Sequence, residues 1–153
     1  MNEPKTFEEV REFLSSIYSI HGGGCGVAAL AMYKWLKKNN QLTYDFKFVI
    51  CYDPDYDDDN RYLNNMKVLR TKEGKAMATS HMGIINGGVP IDSWGSIHLT
   101  RYGLIQFVAF EWFMTNMINN KGSWNSEFNR DESIPLIEKT LDIDLSEIKI
   151  NKT

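Results

Sequence analysis

The sequence has little that would mark a secreted or membrane-spanning protein. Its 153 residues include only two cysteines, Cys25 and Cys51, which could form at most one disulfide bond. The segment Met1–Ser16 is polar and lacks the apolar run of a secretory signal. We therefore expect two free thiols in a reducing, cytoplasmic compartment. The longest apolar stretch, Gly103–Ile118, is interrupted by polar side chains and is too short to cross a bilayer.

Charge and motif content exclude further classes. A net charge of −3 offers no broad attraction to nucleic acid or to anionic lipid, so we expect neither as a partner. No glycine-rich phosphate loop follows a strand, and no compact metal-ligand motif occurs, so we expect no cofactor and no metal. What is present, 42% apolar and 12% aromatic residues, is typical of a globular protein, and we interpret residues 1–153 as a single domain.

Local patterns predict a mixed α+β fold. Capping signals and helical spacing of apolar residues indicate helices, and alternating patterns indicate strands, with a hairpin around Gly87-Gly88. The predicted helices are Thr6–Tyr18, a buried helix starting beside Cys25, Leu99–Ile118 and Ile134–Leu141. The predicted strands are Tyr44–Tyr52, Ser80–Ile85 and Val89–Trp94, while residues 64–79 show only a weak pattern.

Cys25 occupies a position that suits a nucleophile. It follows three consecutive glycines, Gly22–Gly24, and lies in the first turn of the predicted buried helix. Glycines allow a substrate backbone to approach closely, and a helix N-terminus supplies partial positive charge and N–H groups that favour a thiolate. The alternative is a small apolar cysteine packed in a helix, which is common in proteins.

His81 and Asp92 are predicted to meet across the hairpin. If Gly87-Gly88 form a two-residue loop, His81 falls opposite Trp94, and Asp92 lies diagonally from His81 on the same face. A three-residue loop would place the two side chains on opposite faces. A nucleophilic thiol needs a base, and the base needs an orienting group. We therefore predict a catalytic site made of Cys25, His81 and Asp92.

Two segments resemble a known superfamily. The glycine-rich stretch around Cys25, and Ser80–Gly95 with its Ile-Asp-Ser-Trp-Gly ending, are similar to papain-like cysteine peptidases, in particular the transglutaminase-like branch. The resemblance covers roughly residues 20–96. It implies a papain-like fold, with a central helix starting at the cysteine and packed on a small antiparallel sheet that carries the histidine and the acid.

The resemblance also implies a chemistry. It would be thiol-dependent acyl transfer or hydrolysis at an amide or isopeptide bond of a protein or peptide substrate. The glutamine that completes the oxyanion hole of papain-type peptidases has no counterpart in Tyr18–His21, so N–H groups near Cys25, or Ser19 or His21, would replace it. The predicted oxyanion-binding and substrate-binding residues are Gly24, Gly26, His21 and Trp94.

Three alternatives remain open at the level of the sequence. The acidic segment Asp53–Asp59 lacks the glycine and glutamate of a calcium-binding loop and is better interpreted as a solvated surface that could select a basic substrate. His21, Cys25, His81 and Asp92 could instead hold zinc, although their spacing matches no compact motif. The chain could also be a catalytically inert papain-like scaffold that binds and blocks a cellular protein.

Overall fold

A computed structural model describes residues 3–21, 23–54, 69–70, 76–119 and 128–148. Within these ranges the chain forms a mixed α+β fold in which helices pack on an antiparallel sheet. The helices are α1 (Phe7–Ser15), α2 (Cys25–Lys38), α3 (Phe110–Phe113), which continues as a π-helical turn (Met114–Ile118), and α4 (Arg130–Leu141). The strands are β1 (Lys47–Pro54), β2 (Leu69–Arg70), β3 (Ala76–Ile85), β4 (Pro90–Ile91) and β5 (Leu104–Val108), and a 3-10 turn spans Leu99–Arg101.

The first two helices begin where the sequence predicts. Thr6 and Glu9 form a reciprocal capping box at α1, with Glu9 N donating to Thr6 Oγ1 at 3.1 Å. This helix ends at Ser15, three residues before the predicted Tyr18. Helix α2 begins at Cys25, directly after the predicted glycine break, and its last turn carries lysines that suit the negative end of the helix dipole.

The sheet places β3 and β1 at its centre. The strand order is β2-β3-β1-β5, and β4 pairs with β3, with every pair antiparallel. His81 on β3 lies opposite Cys51 on β1, and the register shifts directly after this pair. A bulge of this kind bends the strand and changes the direction of its side chains. His81 therefore lies at an irregular point of the sheet.

The main core lies between the sheet and the helices. Helix α2 is the central element and buries ten of its residues, mostly against β3 and α1. From β1, Phe48 and Ile50 face this core, whereas Val49 and Cys51 face a smaller cluster on the opposite side with Ile97. Cys51 is fully buried. Within the described ranges, no helix combines the length and hydropathy needed to cross a membrane.

The predicted long helix Leu99–Ile118 is wrong. The segment instead folds as a 3-10 turn, strand β5, the four-residue helix α3 and a π-helical turn. Apolar and aromatic residues recur so densely here that helical and strand periods are hard to separate. The segment Leu104–Val108 forms a strand because it pairs with β1. The local sequence does not indicate that pairing.

Smaller differences concern the sheet. The predicted strand Val89–Trp94 pairs only at Pro90–Ile91, because the chain turns sharply after Ile91. The strand predicted from Ser80 starts earlier, at Ala76, and the weakly patterned region contributes strand β2. Of the acidic segment, residues 55–59 lie outside the described residues. The last predicted helix is longer than expected and begins at Arg130, after the N-cap Asn129.

Candidate functional site

The start of α2 places Cys25 at the edge of the core. The residue is 9% exposed, and Gly24 precedes it as an N-cap without any side-chain hydrogen bond. The first N–H groups of a helix have no acceptor within the helix, so α2 directs its positive end toward this position. Cys25 is a free cysteine.

Gly24 and Gly26 are needed for packing. A Cβ atom at Gly24 would lie 2.6 Å from the ring of Phe128, and one at Gly26 would lie 3.1 Å from Ile118 Cδ1. Both residues are buried, so their lack of a side chain serves the close approach of core residues. Their participation in an oxyanion hole stays a prediction.

The hairpin has the predicted register. Ile85 pairs with Pro90 and Ile84 with Ile91, which is the alignment that a Gly87-Gly88 loop requires. Gly87 and Gly88 both have positive φ, +86° and +117°, values that glycine adopts without strain. The register therefore brings Asp92 to the face of the hairpin that carries His81, as expected.

A tight turn fixes the carboxylate of Asp92. Asp92 N donates to Gly95 O at 2.8 Å, and Asp92 Oδ1 accepts from Trp94 N at 2.8 Å and from Gly95 N at 3.0 Å. These bonds occupy one carboxylate oxygen and leave Oδ2 free to point at β3. Gly95 allows the turn to close because its φ is +145°.

Gly83 sets the spacing between the two strands of the site. A Cβ atom there would collide with the backbone carbonyl of Ile91 and would lie 2.5 Å from Ile97 Cδ1. Because Gly83 has no side chain, β4 approaches β3 closely beside His81 and Asp92. This requirement was not recognised from the sequence.

The imidazole of His81 interacts with both Asp92 and Cys25. Its Nε2 atom lies 2.8 Å from Asp92 Oδ2, and the thiol of Cys25 lies near enough to the ring to affect its pKa. Since Asp92 occupies Nε2, Nδ1 is the ring nitrogen left for the sulfur. Burial alone would lower the pKa of His81, but the hydrogen bonds and charges of Asp92 and Cys25 outweigh it and raise the pKa to about 9. The structure thus brings together the three predicted catalytic residues.

Asp92 is held in its ionised form. Burial would raise the pKa of this carboxyl, but the hydrogen bond and charge of His81 and the N–H groups of Trp94 and Gly95 outweigh burial and lower it. The side chains of His81 and Asp92 are only 12% and 14% exposed, so water screens their attraction weakly. The pair is suited to orienting one tautomer of the imidazole.

His21 and Trp94 cover this pair. The ring of Trp94, which is 70% exposed, stacks on His21 with a centroid distance of 3.6 Å, and His21 lies 5.8 Å from His81. His21 Nε2 is 2.7 Å from Ser93 Oγ, which also receives a hydrogen bond from Ser15. Burial lowers the pKa of His21, and His81 lowers it further against the opposing charge of Asp92. The structure therefore places His21 beside the His81–Asp92 pair, and its predicted role in an oxyanion hole stays a prediction.

A cleft of about 450 Å³ opens beside His81 and Asp92. Trp94 borders it, as the predicted substrate-binding role requires, together with polar residues that the sequence did not indicate. The cleft contains all three histidines of the chain. The lining residues missed from the sequence include Ser80, Ser96, His98, Arg101 and Tyr102.

The wrong prediction of one helix explains why three of these lining residues were not predicted. The wrong prediction of a helix over Leu99–Ile118 concealed the roles of Arg101 and Tyr102 and of the neighbouring His98. Only the pairing of β5 with β1 returns this segment to the sheet beside His81. A clue was present in Gly103, because a glycine inside a helical pattern weakens the prediction of a continuous helix.

Three residues of the site have side chains that can ligate a metal ion. His21, His81 and Asp92 each offer one ligand atom, and these atoms lie within 4.8 Å of one another. Two histidines and a carboxylate can bind a transition metal. Two of the three side chains, however, are already hydrogen-bonded to each other at 2.8 Å, and the third is bonded to Ser93. A metal would have to displace those bonds, so the arrangement fits a hydrogen-bonded site better.

Comparison with known proteins found no matching family model, no matching curated protein and no matching solved structure. Inference about function therefore starts from the geometry of the site.

Proposed function

We propose that this chain is a thiol-dependent enzyme that transfers or hydrolyses an acyl group at an amide or isopeptide bond. The observation that carries the proposal is the placement of His81, which is hydrogen-bonded to Asp92 and lies near enough to Cys25 for both residues to raise its pKa. A nucleophile, a base and an orienting carboxylate in this order are the parts that covalent acyl transfer requires.

The reaction would proceed in two balanced stages. His81 takes the thiol proton of Cys25 as the sulfur attacks the carbonyl carbon of the substrate. The carbon–nitrogen bond then breaks, the leaving amine takes the proton from His81, and a thioester remains on Cys25. In the second stage His81 accepts a proton from water or from an amine, which attacks the thioester and releases Cys25.

The rest of the site would support these steps. Asp92 keeps Nε2 of His81 engaged, so Nδ1 faces the reacting atoms. The N–H groups at the start of α2 are suited to stabilise the oxyanion, as helix N-termini do. The mixed α+β fold, with α2 packed on an antiparallel sheet, is compatible with a papain-like or transglutaminase-like assignment, which we propose on the residue pattern and this arrangement.

Acylation by a simple activated ester tests the proposal without knowledge of the natural substrate. With p-nitrophenyl acetate we expect release of nitrophenolate and a transient acetyl group on Cys25, identified by peptide mass spectrometry. Cys25→Ala should abolish both signals, whereas Cys51→Ala, which removes the other thiol, should retain them. If Cys25→Ala matches wild type while its circular dichroism is unchanged, the enzymatic proposal is wrong, and an inert binding scaffold becomes the better interpretation.

A further inference from the structure

The cleft beside His81 carries a positive charge that acyl transfer itself does not use. Arg101, at the end of the 3-10 turn, lines the cleft and is exposed. No carboxylate pairs with its guanidinium anywhere in the part of the chain that the structure describes. An unpaired arginine at the wall of a cleft is a common receptor for an anion.

His98 accompanies Arg101 on the same turn. His98 is the N-cap residue of the 3-10 turn and Arg101 is its last residue, so the two are three positions apart. Arg101 N donates to His98 O at 3.1 Å, which fixes this geometry, and His98 is also exposed in the cleft. The imidazole of His98 and the guanidinium of Arg101 therefore belong to the lining of the same cleft.

The acidic groups nearby do not neutralise this side of the cleft. Among the described residues that line it, Asp92 is the one carboxylate, and it is bonded to His81 and to two backbone N–H groups. The charge of Asp53 reaches Tyr102, but Asp53 does not line the cleft. Among the described residues, the guanidinium of Arg101 is therefore the cleft-lining charge that no carboxylate balances directly.

We propose that this cleft binds a carboxylate group of the acyl donor, with Arg101 and His98 as its receptor. The inference rests on the proposed function and names its substrate class, which is an amide or isopeptide whose neighbouring side chain or terminus carries a carboxylate. Arginine suits this role because its planar fork forms two parallel hydrogen bonds with the two carboxylate oxygens. The acidic segment Asp53–Asp59 was interpreted from the sequence as a solvated surface that could select a basic substrate, whereas Arg101 and His98 would select an acidic one.

Two alkylating reagents that differ by one charge test the proposal. Iodoacetate carries a carboxylate and iodoacetamide is its neutral analogue, and both modify the same thiol. By Coulomb's law, one charge about 10 Å from the reacting thiol changes the rate for an anion about two- to tenfold. The measurement is the ratio of the two rate constants at Cys25, by mass spectrometry of the full chain at low salt.

We expect Arg101→Gln to lower the iodoacetate-to-iodoacetamide ratio about two- to tenfold. Arg101→Lys should keep part of the preference, and salt at about 0.5 M should reduce it in wild type. The matched control is Lys139→Gln, an equal change of charge at an exposed position of α4 outside the cleft lining, which should leave the ratio unchanged. An unchanged ratio in Arg101→Gln, with Cys25 still reacting with iodoacetamide, overturns the carboxylate site and leaves the proposed enzyme intact.

A second measurement separates the two proposals if Cys25 reacts with neither reagent. That result would count against the thiol chemistry alone. The cleft is then tested by titrating N-acetylglutamate while the imidazole signals of His98 are followed by NMR. Saturable shifts that are lost in Arg101→Gln support the carboxylate site, and their absence in wild type overturns it.

Discussion

Replacing Asp92 with asparagine tests the electrostatics of the site with little change of shape. The asparagine oxygen can still accept from Trp94 N and Gly95 N, so the turn should persist, while the negative charge beside His81 is lost. The pKa of His81 is raised from 6.5 to about 9, a difference worth about 3 kcal/mol at about 1.4 kcal/mol per pH unit. Cys25 contributes part of this, and asparagine retains a neutral hydrogen bond worth about 1 kcal/mol.

We therefore expect Asp92→Asn to lower the free energy of unfolding by about 1–2 kcal/mol at neutral pH. It should also bring the pKa of His81 down toward 6.5 or below, because burial lowers this pKa and the charge of Asp92 no longer counteracts it. Urea unfolding gives the first quantity, and NMR titration of the His81 ring protons gives the second. Asp144→Asn is the matched control, since Asp144 caps a similar turn through Ser146 N but has no histidine partner among the described residues. If His81 titrates identically in wild type and Asp92→Asn, the reasoning is refuted.

Three further predictions follow from individual contacts. Because the pKa of His81 is higher in the folded chain, its protonation stabilises the fold fully below pH 6.5, and this stabilisation is lost as the pH rises through about 9. The difference in free energy of unfolding between wild type and Asp92→Asn, measured by urea unfolding, should therefore shrink over that pH range. Gly83→Ala should cost about 3 kcal/mol of stability and slow alkylation of the site thiol, since the new Cβ atom meets the carbonyl of Ile91; native-like stability would contradict this. Trp94→Ala should raise the pKa of His21 in an NMR titration, because the stacked indole contributes to the burial that lowers it, and an unchanged value would show that other groups bury the ring.

Local chemistry in the sequence predicted the parts of the site that depend on one turn or one hairpin. Two glycines define the hairpin loop, and from that loop the register and the contact between His81 and Asp92 follow. The start of α2 was equally readable, because consecutive glycines precede a run of strong helix formers. These predictions succeeded because each depends on residues that are neighbours in the chain.

What the sequence did not reveal depends on contacts between distant segments. Strand β5 exists because it pairs with β1, more than fifty residues earlier at Tyr52↔Leu104, and no local period distinguishes its residues from a helix. The positions of His98 and Arg101 depend on that pairing. The need for glycine at position 83 similarly arises from a carbonyl on another strand, which only the folded chain brings near.

The central claim is that Cys25 is an activated nucleophile, and its rate of alkylation by iodoacetamide at about pH 6 tests it most directly. Cys51 is the internal reference, since it is fully buried and burial, with the nearby charges, raises the pKa of its thiol to about 12. We expect Cys25 to react much faster than Cys51 in the folded chain. His81→Ala should remove most of this difference, and both thiols should react alike in urea. Equal and slow modification of both cysteines in the folded protein would contradict the account and identify Cys25 as a packed core residue.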